Sequence, residues 1–265
     1  MTVQKENLII KVASDLREAS KNKIAIEPIR VNFDKDDISS AYQVQKINNN
    51  FRKKNGAKIT GKKIGLTSKK VQEQLGVDQP DFGVLFNDMN VESGSSLSWA
   101  ETMQPKVEAE VAFVLKKDVV MKNPSIADIE DAIDYAMVSL EIVGSRIKDW
   151  NINILDTVAD NASASHYVLG TEKKKLSEFD LINCKMNMSV NGVNVSTGEG
   201  KACLGSPLIA TQWLATQMAK LGNPLKAGEV ILSGALGPMA TVVSGDVVSA
   251  TIEGLGEVSL TFKNN

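Results

Sequence analysis

Glu108-Ala109-Glu110 stands inside an otherwise apolar run, PKVEAEVAFVL, whose alternation reads as a β-strand. A period of two sends both carboxylates to one face and leaves Val107, Ala109, Val111 and Phe113 on the other. Burying two like charges costs several kcal/mol each unless a counter-charge compensates, and a divalent cation is the simplest one. Glu141, in the apolar run MVSLEIV, is a third carboxylate that shares a face with Ser139 and Val143, placed to complete the set from a neighbouring strand. Oxygen-only ligands with open positions suit Mg²⁺ or Mn²⁺, whereas Zn²⁺ more often recruits His or Cys. Taken alone, the same E-x-E pattern also fits the solvated face of an edge strand.

Other residues could supply proton transfer. Lys63 lies in the strand GKKIGL, where partial burial is expected to lower its pKa into a range useful for acid–base work; Lys62 alternates to the opposite face and is the internal control. Asp81, in QPDFG, is either an acid–base group acting on water or ordinary turn chemistry after Pro80. The single histidine, His166, cannot build a multi-histidine metal site and reads equally as a packed polar residue or a base. Cys184 and Cys203 are too few for a disulfide framework and are expected to be reduced and packed.

The elements that must position these groups follow from periodicity. Leu8, Ile9, Val12, Ala13 and Leu16 are spaced for a helix over residues 5–22, and Ile38, Ala41, Tyr42, Val44 and Ile47 for a second, with Asp36 or Asp37 as N-cap and a connector around Pro28. From Lys58 the pattern becomes Gly-punctuated strand, interrupted by a short helix from Thr67 or Ser68 through Leu75 and another over PSIADIEDAIDYA. Asn191-Gly192 marks a tight hairpin. A helix begins at Ser206-Pro207 and stops at Gly222-Asn223-Pro224, and the tail supplies closing strands. Few helices among many strands predict an α+β fold, a mixed β roll or sandwich over residues 58–265 with a helical cap at 1–57.

Composition narrows the function. With 43% hydrophobic and 23% charged residues and a net charge of -2, the chain should form a globular core and shows no basic footprint for nucleic acid. No apolar stretch reaches bilayer length and the N-terminus lacks secretory order, so no membrane partner and a cytoplasmic location are expected. Neither G-x-G-x-x-G nor a Walker loop is present, which disfavours nucleotide cofactors.

The segments GKKIGLTSKKVQEQLGVDQPDFGVLFNDM, QPKVEAEVAFVL, SRIKDWNINILDTVADNAS, LGSPLIATQWLA and AGEVILSGAL together resemble the 2-oxopent-4-enoate (2-hydroxypenta-2,4-dienoate) hydratases of the fumarylacetoacetate-hydrolase-like superfamily, over nearly the whole chain. The resemblance implies the superfamily's C-terminal β fold and a hydro-lyase of aromatic meta-cleavage catabolism that converts the dienol to 4-hydroxy-2-oxopentanoate. It implies Mg²⁺ or Mn²⁺ on Glu108, Glu110 and Glu141, with Lys63 and Asp81 catalytic and Leu66 and Ser163 contacting substrate. Asp160 and Asn161 remain equally readable as turn residues. A homo-oligomer, and a complex with the pathway decarboxylase, are the partners it suggests besides the 2-oxo or 2-hydroxy-dienoate substrate.

Relatives that decarboxylate 4-oxalocrotonate or hydrate oxo-heptenedioate share the glutamates. Asp81 favours hydration over decarboxylation, where a TPIYG-like turn is typical, and leaves the longer diacid open. A C–C hydrolase is disfavoured because its usual upstream histidine is missing, and a non-catalytic partner subunit because the acidic set is intact. Two departures bear on detail: Gly144 stands where the family often has Asp, and Ala235 where it often has Ser.

Overall fold

The computed structural model describes residues 2–69, 72–73 and 77–264. Helix α1 (Val3–Asn22) opens on Thr2, whose side chain caps Lys5 N–H, and α2 (Ile38–Lys54) opens on Asp37, which caps Ser40 N–H. Their apolar stripes meet in a small core with Ile147 and with Ile154, Leu155, Val158 and Ala159 of α4 (Ile154–Ala159). The helices therefore bury their faces against a segment far along the chain.

The rest is two sheets. The larger contains β1 (Ile59–Gly65), β2 (Asp81–Phe86), β3 (Asn90–Glu92), β5 (Lys106–Leu115), β6 (Ile133–Val143), β7 (Ala164–Leu169), β10 (Val230–Ala235) and the short β11 (Ala240–Thr241). Its order is β2-β1-β10-β5-β6-β7-β3, with β11 pairing β5. The smaller contains β4 (Ser96–Ser98), β8 (Lys185–Val190), β9 (Val193–Glu199), β12 (Val247–Ile252) and β13 (Gly256–Lys263), in the order β4-β13-β12-β8-β9. Parallel β1–β10 and antiparallel β10–β5 pairing make the larger sheet mixed, as the α+β reading predicts.

The main core lies between the sheets. Val107, Ala109, Val111 and Phe113 of β5 and Val138, Leu140 and Ile142 of β6 meet Met188, Val248, Ala250, Leu260 and Phe262, with α5 (Pro207–Lys220) closing one end. The face of β5 that carries its glutamates is turned the other way. Helix α5 starts on Ser206 with Pro207 in its first turn, as expected. Asn191 (φ 51°) and Gly192 (φ 79°) turn the β8–β9 hairpin, where two left-handed residues match strand twist.

Two expectations need correction or restriction. The helix foreseen over 124–136 is only α3 (Ile126–Ala132), capped by Ser125; Ile133 already pairs with Leu115 and Ala136 with Phe113. Eleven residues of sheet ladder outweigh the helical propensity of Asp134-Tyr135-Ala136. Of the helix foreseen from Thr67 or Ser68 to Leu75, Lys69, Gln72 and Glu73 are helical and the remainder lies partly outside the described residues.

Candidate active site

Strand register assembles the site. Glu108 stands opposite Glu141, and Glu110 opposite Ser139, across the β5–β6 ladder. On the other side of β5, Leu232 faces Ala112 and Ala235 faces Glu110. Lys63 lies beside Leu232 across the parallel pair, Gly83 opposite Lys63, and Asp81 opposite Gly65. Cross-strand neighbours share a face and side chains alternate along each strand, so Lys63, Asp81, Glu108, Glu110 and Glu141 emerge on one face from four strands.

The three glutamates each offer an oxygen within 4.8 Å of the others. Glu110 and Glu141 are fully buried, and Glu108 is half-buried. Gly234 N–H donates to Glu110 Oε2 at 2.8 Å, whereas among the described residues Glu110 Oε1 and both Glu141 oxygens accept no hydrogen bond, Glu141 Oε1 having only the Lys63 ammonium near it. Burial raises the carboxyl pKa of all three, to about 7 for Glu141, and mutual repulsion adds to it at Glu110. Orphaned buried carboxylate oxygens converging on one point, in a cluster with too little positive charge, are the donor set that a divalent cation satisfies.

The positive charge supplied by the chain is Lys63, whose Nζ is 3.3 Å from Glu141 Oε1 with both side chains buried. The expected lowering of its pKa is not what the structure shows. Burial does push it down, but Glu141, Asp81, Glu108 and Glu110 together outweigh burial and raise it. Lys62, on the opposite face, pairs with Glu229 at 2.6 Å and is also buried, so neither lysine is the solvated strand residue that composition alone would suggest.

Asp81 is buried and begins β2 rather than a turn. Burial raises its pKa, opposed by Lys63 and by hydrogen bonds from Thr157 and the Gly65 N–H. Thr157 Oγ1 is 3.4 Å from Asp81 Oδ2 and 3.2 Å from Ser163 Oγ, while Asp81 Oδ1 has no hydrogen-bond partner among the described residues. Gly65 leaves room for this: a Cβ there would lie 2.2 Å from Asp81 Oδ1 and 3.2 Å from Lys63 Nζ. Ser163 is thus brought to Asp81, at the end of three consecutive left-handed residues, Asn161, Ala162 and Ser163. Leu66 follows β1 in the same left-handed region (φ 57°) and packs toward the helical core.

Asp160 and Asn161 both spend their side chains on neighbouring segments of the chain. Asp160 binds the Arg146 guanidinium and backbone N–H. Asn161 pairs its carboxamide with both Val84 N–H and Val84 C=O at 2.9 Å. The two family departures also find physical reasons. A Cβ on Gly144 would come within 2.9 Å of Met103 O, so this chain has no room for a side chain there as it stands. Ala235 sits opposite Glu110, which is oriented instead by the Gly234 amide; Gly234 has φ 113° and packs on Thr67 too closely for any side chain.

His166 stands apart from the cluster, its Nδ1 2.9 Å from Ser165 Oγ and its pKa pushed down to about 4 by burial and by Lys23. Cys184 and Cys203 are free and buried, as expected, and burial together with Glu110 pushes the Cys203 thiol up to about 12. Sequence reasoning missed Thr157, Gly65, Gly234 and Gln45. Only Gln45 carried a signal, a polar residue four positions after Ala41 on the apolar stripe of α2.

A mixed β fold with a buried acidic cluster beside a lysine defines a class, and the chain belongs to it: it is a member of the fumarylacetoacetate (FAA) hydrolase C-terminal family, whose pattern matches residues 48–263. Within that class it is 48% identical over 257 residues to a 2-keto-4-pentenoate hydratase of Burkholderia vietnamiensis, covering 97% of this chain and 98% of the relative. It is 41% identical over 249 residues to a 2-hydroxyhexa-2,4-dienoate hydratase of Comamonas testosteroni, covering 93% and 94%. Among solved structures, 4-oxalocrotonate decarboxylase from Pseudomonas putida, complexed with magnesium and adipate, superposes with a TM-score of 0.93 at 31% identity over 99% of both chains. Among the described residues no helix is long and apolar enough to cross a membrane.

Proposed function

We propose that this chain is a divalent-metal-dependent hydratase that adds water to 2-hydroxypenta-2,4-dienoate (2-oxopent-4-enoate), giving 4-hydroxy-2-oxopentanoate, with residues 1–57 as a cap over the 58–265 catalytic fold. The observation that carries the reading is the convergence of Glu108, Glu110 and Glu141, with three buried oxygens lacking hydrogen-bond donors among the described residues, beside Lys63 and Asp81. Identity near 48% across almost the whole length of named hydratases, against 31% to the decarboxylase, supports hydration over loss of CO₂.

Glu108, Glu110 and Glu141 would hold Mg²⁺ or Mn²⁺, which as a Lewis acid polarises a 2-oxo group and stabilises enolate charge. Lys63, kept protonated by its carboxylate neighbours, presents a fixed ammonium to the substrate carboxylate or to developing oxygen charge. Asp81 is the proton carrier. Burial favours its neutral form, Thr157 anchors Oδ2, and the unpartnered Oδ1 gives a proton to the substrate carbon skeleton or takes one from the incoming water. Ser163, tied to Thr157, and Leu66 line the substrate.

The test is loss of dienol absorbance by the purified protein, before and after EDTA and after return of Mg²⁺ or Mn²⁺, with the product identified by mass. Metal-restored turnover with the gain of one water is expected. Release of CO₂ would reassign the chain to decarboxylation, and turnover indifferent to metal removal would refute the three-glutamate site.

A further inference from the structure

Strand β2 is an edge strand of the larger sheet, so every second residue presents its backbone N–H and C=O away from β1. Two carboxamides take the place of the missing strand. Asn161 satisfies both groups of Val84, and Gln45, from α2, donates one Nε2 proton to Phe82 O at 2.9 Å. The second Nε2 proton goes to Val158 O at 3.0 Å. Val158 lies in the last turn of α4, where carbonyls have no intrahelical donor.

Gln45 is itself buried, and three residues earlier on α2 Tyr42 stacks on the Phe82 ring at 4.5 Å. The helix thus grips Phe82 by ring and carbonyl together. The residues immediately before the two gripped carbonyls are Asp81 and Thr157, whose side chains meet at 3.4 Å. One amide group bridges the two backbones that carry that contact.

We infer that Gln45 is a positioning residue for the reaction: by joining Phe82 O to Val158 O it holds Thr157 against Asp81 Oδ2 and leaves Asp81 Oδ1 aimed at the substrate side. The inference rests on the proposed role of Asp81. It makes the helical cap part of the acid–base apparatus, since α2 reaches the site through this carboxamide.

The experiment compares Gln45→Met, which keeps length and volume but removes both donors, with Thr157→Val, Thr157→Ser and the Gln45→Met/Thr157→Val double variant, reading kcat, KM and Mn²⁺ binding separately. Gln45→Met and Thr157→Val should each lower kcat roughly ten- to a hundredfold while KM stays within about threefold, the range expected for misplacing a reacting group. Mn²⁺ binding should be unchanged, Thr157→Ser should restore kcat, and the double variant should be no worse than the poorer single, because both act through one contact. Wild-type kcat in Gln45→Met, multiplicative losses in the double, or loss of Mn²⁺ binding would overturn the inference. If Gln45→Met fails to fold, Gln45→Ala is measured instead, and insolubility of both assigns Gln45 to stability and overturns it too. Asp81→Asn separates the two readings: an active Asp81→Asn refutes the role of Asp81 itself, whereas an inactive Asp81→Asn beside an unaffected Gln45→Met refutes only Gln45.

Discussion

Lys62 and Lys63 are adjacent on β1, both are buried and both are ion-paired, yet they inhabit different kinds of place. On one face Lys62 meets Glu229 at 2.6 Å, one charge against one. Glu229 also accepts the Lys226 N–H, so its second oxygen is occupied. On the other face Lys63 meets Glu141, with Asp81, Glu108 and Glu110 close enough to raise its pKa, and several of those carboxylate oxygens have no donor. The balanced pair is finished as it stands. The unbalanced one is a cluster that the fold holds together despite repulsion and desolvation, and such clusters mark sites where something else is to be bound. Burial of charge alone does not separate structure from function; the stoichiometry of charge does.

The largest expected effect breaks that comparison at its acidic side. Glu110→Gln should abolish Mn²⁺ binding and lower turnover by at least about 10³-fold, since the lost ligand affects every later step. The same variant without metal should be more stable than wild type to urea, because a buried like charge is removed while the Gly234 contact is kept. Glu229→Gln should do the reverse. It leaves Lys62 buried without its partner and should cost up to about 3 kcal/mol of stability, while kcat stays within about threefold of wild type. Equal catalytic losses in the two variants would dissolve the distinction.

The lysines themselves sharpen it. Lys63→Met should lower kcat by about 10²–10³-fold while leaving metal binding in place, the size expected when a group that acts on the reacting centre is lost. Lys62→Met should leave kcat near wild type, and steady-state kinetics of the two, one residue apart on one strand, form an internally controlled pair.

Much of this contrast was legible in the sequence. Alternation in Lys106–Leu115 placed Glu108 and Glu110 on one face, and the apolar setting of Glu141 marked it as a third carboxylate for the same cluster. The Ser206 cap and the Asn191-Gly192 hairpin are local chemistry and were read correctly, and of the two candidate caps for α2 the structure uses Asp37. What failed was long-range. The raised proton affinity of Lys63 depends on carboxylates brought in by three other strands, so partial burial alone suggested the opposite sign. Thr157 reaches Asp81 across 76 positions, and Gln45 reaches Val158 across 113, and no local pattern encodes either contact. The helix expected through Ala136 lost its last turn to a partner strand that propensity does not see.

The acidic face should also announce itself through pH. Glu141 is raised to about 7 from an ordinary value of 4.5, so the folded, metal-free protein binds a proton that the unfolded chain releases. The stabilisation this gives is present at low pH and is lost as pH rises from 4.5 through 7. Bound metal displaces that proton, so affinity for Mn²⁺ should climb through the same interval and level off above it. Glu141 therefore contributes to the metal-free protein a melting temperature that falls across this window, and Glu141→Gln should remove that contribution from the thermal unfolding profile.

His166 supplies the smallest effect, with the opposite slope. Its pKa is depressed to about 4 from 6.5, chiefly by burial and then by Lys23, so here the unfolded chain binds the proton that the folded protein refuses. Stability from this group is complete above 6.5 and is lost as pH falls toward 4. The two windows overlap between 4.5 and 6.5, where Glu141 favours the acid side and His166 the neutral side, so the wild-type profile there should be shallow through cancellation. His166→Gln should unmask the glutamate, giving a metal-free protein that gains stability steadily on acidification through that interval. Saturating Mn²⁺ should leave only the histidine slope. If His166→Gln leaves the profile unchanged while Glu141→Gln alters it, the histidine is exposed to solvent in the working protein and its burial beside Ser165 is wrong.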